Sequence, residues 1–396
     1  MKTYDFIFAG GGLAGLSLAC QIVRSPLRNS SILIVDQDAK QQDDRTFSFW
    51  SNKPGLFEGA ISSSWEQLAF HAGGFARTAH LGDYRYCTIR GIDFYRLAHQ
   101  ELAAYPGVEF HRGQITRLQD GPDVATLAVD GQEFCGRWAF DSRFYPADFV
   151  PDPRRYHCLK MTFRGWEVEA TRPVFDPHTA ILMDFRTPQN GDVRFFYVLP
   201  FDERRALVEY TLFTSQRVSG ADFQPALSSY LRKAFKLEIR KDCQVNSREG
   251  GSLPVTDQPL RRPLGRHVLA IGLRGGRLKP TTGYAFTRIQ RDSEAIPRSL
   301  LRNGHPFDLP AAPPLYQQLD SIMLEVMARH PDRIPGIFTA LFKKNPPERV
   351  LRFLDEDASL EEIGQLIATL PPGLFLQILA RRSVSPRALL RNFAGG

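Results

Sequence analysis

The first forty residues constrain this chain more than any other stretch. Tyr4-Asp5-Phe6-Ile7-Phe8-Ala9 is an apolar run of strand length, and it enters Gly10-Gly11-Gly12-Leu13-Ala14-Gly15, which fits G-x-G-x-x-G. Leu13 to Val23 then reads as a helix, and Ser31 to Val35 as a second strand that ends at Asp36. Strand, glycine turn, helix, strand and acidic end, in that order, make a dinucleotide-binding βαβ unit. Each residue has a physical task. Gly10 permits the tight turn, and Gly12 permits close approach of a pyrophosphate. Leu13 and Ala14 open a helix whose free N–H groups and partial positive charge attract that pyrophosphate. Gly15 lets the helix lie against the strand, and Asp36 is placed to take ribose hydroxyls. The complete context argues against a glycine turn without a ligand. The motif alone does not separate FAD from NAD; its place at the start of a long chain favours FAD.

A chain of 396 residues can bury a large core and divides into two or three domains. The expected organisation is an FAD-binding first part with a β-meander over 1–150 and an antiparallel substrate sheet over 151–250. A return to the FAD-binding domain over 251–305 and a C-terminal helical region over 306–396 complete it. The 29 phenylalanines call for large apolar surfaces, in the core or around a greasy ligand. The net charge of +7 comes with arginines spread along the chain and no nucleic-acid motif. A surface drawn to anionic lipid is therefore expected, and no nucleic-acid partner. Five scattered cysteines without a C-x-x-C pair speak against a disulfide framework or a zinc site, so no metal is expected. The N-terminus runs straight into a strand and no stretch of eighteen apolar residues occurs. The expectation is a cytoplasmic protein, without signal peptide or membrane span, lying peripherally on the membrane.

After the first unit, Arg45-Thr46-Phe47-Ser48-Phe49-Trp50 brings a basic residue and three aromatics to where a flavin ring could lie; a core segment with one surface arginine fits equally well. Short strands are expected at Trp65 to Phe70 and Phe75 to His80. A helix follows from about Arg90 to Ala104 with Asp93 as its N-cap. Strands at Val108 to Phe110, Ile115 to Leu118, Ala125 to Val129 and Glu133 to Ala139 follow, with Asp130-Gly131 as a hairpin turn. From about Val150 the runs Tyr156 to Trp166, Ala180 to Arg186, Arg194 to Leu199 and Arg205 to Phe213 read as an antiparallel sheet with one face open to a ligand. A helix over Ser219 to Phe235 closes that part.

Two carboxylates, Asp184 and Glu209, stand inside apolar strands of this sheet. Each is either turned to water, paired, or functional. In an apolar cavity such a carboxyl stays protonated and becomes a general acid near neutral pH. The strand His267 to Gly272 leads into a second glycine-rich loop, with Gly275, Gly276, Lys279, Thr282 and Gly283, and then into a helix expected from about Thr281. This is a second candidate for anion and flavin binding. Many FAD proteins carry an aspartate early in such a loop, and none occurs between Gly272 and Gly283. Short helices split by prolines follow from Leu315 to Arg382, with Phe338, Phe342, Phe353 and Phe375 beside Lys343, Lys344, Arg349 and Arg352. They suit either a membrane surface or a cap on the sheet.

Together these segments resemble the lycopene cyclase family, the bacterial flavin-dependent carotenoid cyclases, over nearly the whole chain. The most specific features are the loop from Gly275-Gly276 through Lys279-Pro280-Thr281-Thr282-Gly283-Tyr284 and the run Asn345-Pro346-Pro347-Glu348-Arg349. The resemblance implies an α/β fold with a glutathione-reductase-like Rossmann FAD domain. It also implies cyclisation of lycopene and related carotenoids to β-ionone rings with reduced FAD, NAD(P)H being a candidate electron source. The family's acid lies in an acidic pair followed by threonine. Glu209 matches the first member, and Tyr210 stands where some relatives have the second. Glu209 is then the acid or a stabiliser of the cation, with the reduced flavin as the other candidate proton donor, and Asp184 a second candidate that orients Glu209 or takes the final proton. A flavin hydroxylase, a prenyl reductase and a non-catalytic prenyl-lipid carrier on the same fold remain the alternatives.

Overall fold

The computed structural model describes residues 2–145, 149–216 and 223–381. Three sheets organise it. The first contains the strands Thr3–Ala9 and Ile32–Asp36, joined by the helix Leu13–Val23. They lie parallel, and Val108–Arg112 extends the sheet beyond Ile32–Asp36, again parallel. On the other side of Thr3–Ala9 runs Gln132–Asp141, parallel to it. The N-terminal half of that long strand continues into the antiparallel meander of Ala125–Val129 and Ile115–Asp120, and its C-terminal end pairs with Val268–Ala270. Asp130 and Gly131 both adopt positive φ at the hairpin tip, the backbone that a tight two-residue turn needs.

The buried strands read as continuous apolar runs because both faces of this sheet are covered. One face packs on Leu13–Val23, Gly91–Leu102 and Phe286–Asn303, with Leu16, Phe94 and Ile289 in one core. The meander lies over the other face, above Ile7, Leu33 and Val35.

The second sheet has seven strands in the order Cys243–Thr256, Cys158–Ala170, Arg205–Thr214, Val193–Pro200, Thr179–Asp184, Gln67–Ala72 and Phe75–His80. All pairings are antiparallel except that of Thr179–Asp184 with Gln67–Ala72. The two strands from before residue 150 therefore complete the later sheet. A small third sheet joins Thr46–Ser51, Arg85–Arg90 and Ile61–Trp65.

Several expectations are corrected. Gln67–Ala72 is preceded by the separate strand Ile61–Trp65, so the stretch around Trp65 turns from one sheet to another. Arg90, not Asp93, is the N-cap of Gly91–Leu102, and Asp93 lies in its first turn, where its charge favours the helix dipole. The helix after the second glycine loop begins at Phe286, because Gly283 takes a left-handed φ of 77° and interrupts it. The helix expected from Ser219 is seen as Phe223–Tyr230, followed by a π-turn over Leu231–Phe235; residues 219–222 lie outside the described residues. The C-terminal helices run from Pro314–Arg329 to Pro372–Arg381, with Arg382 outside the described residues.

Helices cover much of both faces of the second sheet, and part of one face lines a cavity, where the alternation suggested a face open to a ligand. Phe223–Tyr230 packs on one side, around Phe196 and Tyr210. The C-terminal helices pack on the other, where Phe338 and Phe342 meet Phe185 and Phe70. No helix among the described residues is long and apolar enough to cross a membrane.

Candidate functional site

A cavity of about 560 Å³ lies between the first and second sheets. Gly12, Leu13 and Ala14 of the first motif line one end, and Thr282, Gly283 and Tyr284 of the second loop lie beside them. Arg45, Thr46, Phe47 and Ser48 form a wall. The floor is the second sheet, with Phe163, Tyr197, Leu207, Glu209, Thr211 and Glu249. The size falls in the range of small-molecule sites, and the lining is aromatic and apolar with a few polar groups, as such sites require.

The glycine motif has the shape of a phosphate cradle. Gly10 has φ of 111°, and a Cβ there would fall 2.3 Å from Ser142 Oγ. A Cβ on Gly15 would fall 2.1 Å from the Gly10 carbonyl oxygen, so these two glycines let strand, turn and helix close up. Gly12 is different, because a Cβ there would meet nothing within 4 Å. Its empty side opens to the cavity, at the start of a helix whose N-terminus carries no side-chain cap. Free N–H groups beside open space fit an anionic pyrophosphate, so the residues present suit FAD. Asp36 Oδ2 accepts the Gly11 N–H at 2.8 Å and so fixes the turn from the end of the next strand.

The second loop divides. Thr282 and Gly283 line the cavity, whereas Gly275, Gly276 and Lys279 do not. A Cβ on Gly275 would fall 2.5 Å from the Ala270 carbonyl oxygen, so that glycine shapes the turn. Gly276 supplies a positive φ of 73° in the same turn. The Lys279 ammonium is buried in ion pairs with Asp320 and Glu356, each at 2.8 Å, and ties the loop to the C-terminal helices. The expected anion-binding lysine is thus engaged by carboxylates.

Glu209 and Asp184 part company in the same way. Glu209 stands opposite Tyr197, and Asp184 opposite Phe196, so the period-two alternation puts them on opposite faces of the sheet. Asp184 is fully buried, bonded by Arg186 at 2.7 Å and by the Tyr230 hydroxyl at 2.8 Å. Burial pushes its carboxyl up, but the Arg186 and Tyr230 hydrogen bonds outweigh this and hold it below its ordinary value. It is an ionised structural acceptor and does not reach Glu209.

The structure brings Glu249 to Glu209 instead, a residue that sequence reasoning passed over. Gly165, on the strand Cys158–Ala170 that lies between theirs, pairs with Glu209 on one side and Glu249 on the other. The Thr211 hydroxyl donates to Glu209 Oε1 at 2.8 Å, and the Thr46 hydroxyl donates to Glu249 Oε2 at 2.8 Å. Burial pushes both carboxyls above the ordinary carboxylate range, and the Glu249 charge pushes Glu209 further. Their surroundings therefore favour a protonated acid beside the cavity. Only the sheet register reveals this pair; the one signal in the sequence was a glutamate beside Gly250-Gly251.

Comparison with known proteins decides the family, since the model of the family described as "Lycopene cyclase protein" matches residues 5–379. The chain belongs to the lycopene cyclase family. It is 27% identical over 303 residues to a lycopene beta-cyclase of a Paracoccus species, a match covering 72% of this chain and 70% of that one. To neoxanthin synthase of Solanum lycopersicum it is 23% identical over 313 residues, 72% of this chain and 58% of the plant protein. The chain thus spans under two thirds of the length of that plant relative. In fold it is similar to a flavoprotein/dehydrogenase from Cytophaga hutchinsonii, with a TM-score of 0.60 at 14% identity, over 93% of this chain and 99% of that one. This lycopene cyclase family member therefore has a Rossmann-type FAD-binding α/β fold joined to a mostly antiparallel sheet.

Proposed function

We propose that the protein is a lycopene beta-cyclase, closing the acyclic end groups of lycopene into β-ionone rings by acid catalysis without net redox change. The observation that carries this reading is Glu209, a carboxyl that burial and the Glu249 charge push above the ordinary carboxylate range, on the floor of a cavity that reaches the glycine motif. Family membership and the lycopene beta-cyclase relative support it.

The Glu209 proton goes to the terminal double bond of the end group. The resulting cation is attacked by the next double bond, which forms the ring, and a neighbouring carbon then gives up a proton. Phe163, Tyr197 and Leu207 keep water from the cation, which would otherwise be quenched. Gly12, Leu13 and Ala14 would hold the FAD pyrophosphate, with Arg45, Phe47, Thr282 and Gly283 along the rest of the cofactor. Bound in its reduced form, FAD supplies negative charge that stabilises a nearby cation. NAD(P)H is the proposed source of the electrons that keep it reduced, needed only in catalytic amount.

Lycopene and its product reside in lipid, so the protein is proposed to lie on the cytoplasmic membrane surface. Leu360 and Ile367 are exposed seven residues apart on one helical face, and exposed Lys343 and Lys344 end a neighbouring helix. Such an apolar face with basic neighbours suits anionic lipid.

The test is Glu209→Gln. The variant is expected to keep FAD and lose cyclisation by about 10²-fold or more, the usual worth of a general acid. Cyclisation at the wild-type rate in that variant contradicts the assignment.

A further inference from the structure

We propose that Glu249 takes the proton released at ring closure and returns it to Glu209, so that the two carboxyls work as one proton-conserving pair. This rests on the cyclase reading above and adds the base that the reaction needs.

The geometry is set by three adjacent strands. Residues directly opposite one another in an antiparallel ladder project to the same face, so Glu209 and Glu249 flank Gly165 on one side of the sheet. Their backbones are two strand spacings apart, about 9.5 Å. The glycine itself puts no side chain between them. A Cβ on Gly165 would come 3.0 Å from Glu249 Cγ, 3.0 Å from Leu207 Cδ1 and 3.5 Å from Glu249 Oε1, so the Glu249 and Leu207 side chains both lean over the glycine. In each carboxyl one oxygen is held by a threonine and the other has no hydrogen-bond partner among the described residues. Both line the same cavity.

The chemistry balances on these groups. The Glu209 O–H bond breaks, a C–H bond forms at the end of the polyene, and the ring C–C bond closes. A ring C–H bond then breaks, its electron pair becomes the ring double bond, and its proton forms an O–H bond on Glu249. One proton enters and one leaves, and no electrons are exchanged. Transfer from Glu249 to Glu209 over Gly165 restores the starting state without bulk water. That state needs one carboxyl neutral and one ionised, which two neighbouring buried carboxyls favour because both cannot ionise cheaply. The groups facing the pair are Asp43, Asp44 and Arg45 on the Glu249 side, and Tyr86 and Tyr197 on the Glu209 side. Arg45 is paired with Asp44, so its charge is shared before it reaches Glu249. Asp184, on the opposite face of the sheet, is not available as the base.

The experiment uses the full chain with FAD, a reductant and lycopene in phosphatidylcholine vesicles, under anaerobic conditions. Wild type is compared with Glu249→Gln, Glu249→Asp and Glu209→Gln for FAD content, pH profile and products by chromatography and mass spectrometry. Glu249→Gln is expected to bind FAD as wild type does and to form β rings about 10²-fold more slowly. Cation formed without its base is expected to leave as an isomer with a shifted ring double bond or as a water adduct. Glu249→Asp recovers part of the rate, and residual activity in Glu249→Gln falls off at lower pH on the alkaline side, because the neighbouring charge that raises Glu209 is gone. FAD-loaded Glu249→Gln with wild-type rate, product and pH profile overturns the proposal. Should that variant fail to fold, Gly165→Ala, which pushes the Glu249 carboxyl aside, takes its place: slowed ring formation with shifted products supports the pair, and wild-type behaviour overturns it. If wild type itself makes no cyclic product, the cyclase reading fails; if only Glu249→Gln behaves as wild type, the present proposal alone fails.

Discussion

Glu209 and Glu249 flank Gly165 on one face of the seven-stranded sheet, each with one carboxyl oxygen held at 2.8 Å by a threonine, Thr211 and Thr46. The two threonines come from different sheets, so the pair is positioned from both sides of the cavity.

This arrangement costs stability in a pH-dependent way. Burial raises both carboxyls, so each adds stability below its ordinary pKa and loses it as pH rises through the raised value. Glu209→Gln is therefore expected to melt with wild type near pH 4 and above it near pH 8. Each tenfold change in proton affinity is worth about 1.4 kcal/mol, enough to move the melting temperature by a few degrees. Thermal melts of the apoprotein across that range check the sign.

The glycines of the first motif should separate folding from cofactor binding. Gly15→Ala drives a methyl into the Gly10 carbonyl and is expected to lose about 1–3 kcal/mol of stability. Gly12→Ala meets no atom, so its melting temperature should stay near wild type. Its methyl projects into the cradle, and FAD affinity is expected to fall about tenfold, a loss near 1.4 kcal/mol. Calorimetric melts and FAD titration separate the two.

Lys279→Met tests whether the second loop's lysine serves cofactor or fold. It leaves Asp320 and Glu356 as buried carboxylates without their shared cation, and about 3–5 kcal/mol of stability should go. FAD affinity of the folded fraction is expected to remain. Unfolding in urea alongside flavin titration reads both.

Much of this was legible beforehand. The dinucleotide unit was, because turn, helix and acid follow one another locally and the alternation of apolar residues sets strand and helix. The position of Glu209 inside a buried strand was, because apolar residues surround it in the sequence. Glu249 was not, since its meaning comes from pairing Cys158–Ala170 with two strands far away in the chain, and such register is not written in either segment. Lys279 was not legible, because its partners Asp320 and Glu356 lie 41 and 77 residues away. Asp184 was open to being turned to water, paired or functional, and what decides between these is the sheet register and Tyr230, 46 residues away. The late helix begins at Phe286 and not near Thr281, because the left-handed Gly283 keeps the chain from helical backbone before Phe286.

Asp184→Asn addresses the opposite face of the sheet. It removes the ion pair with Arg186 and weakens the acceptor for Tyr230, at an expected cost of about 1–3 kcal/mol. Turnover per folded, FAD-loaded molecule is expected to match wild type, as read by product formation normalised to bound flavin.

The central claim is that ring closure is driven by a proton delivered within this cavity. Anaerobic incubation with lycopene in vesicles, FAD and a reductant in deuterated water, followed by mass spectrometry, tests it most directly. The account predicts cyclic product with an intact carbon skeleton, carrying one deuterium per ring when protein equilibrated in deuterated water is in excess over lycopene and less than one over many turnovers, as the carboxyl pair hands on the substrate's own proton; reductant is needed only in catalytic amount. A reduced or oxygenated product with reductant consumed in step, or lycopene returned unchanged by FAD-loaded protein, would contradict it.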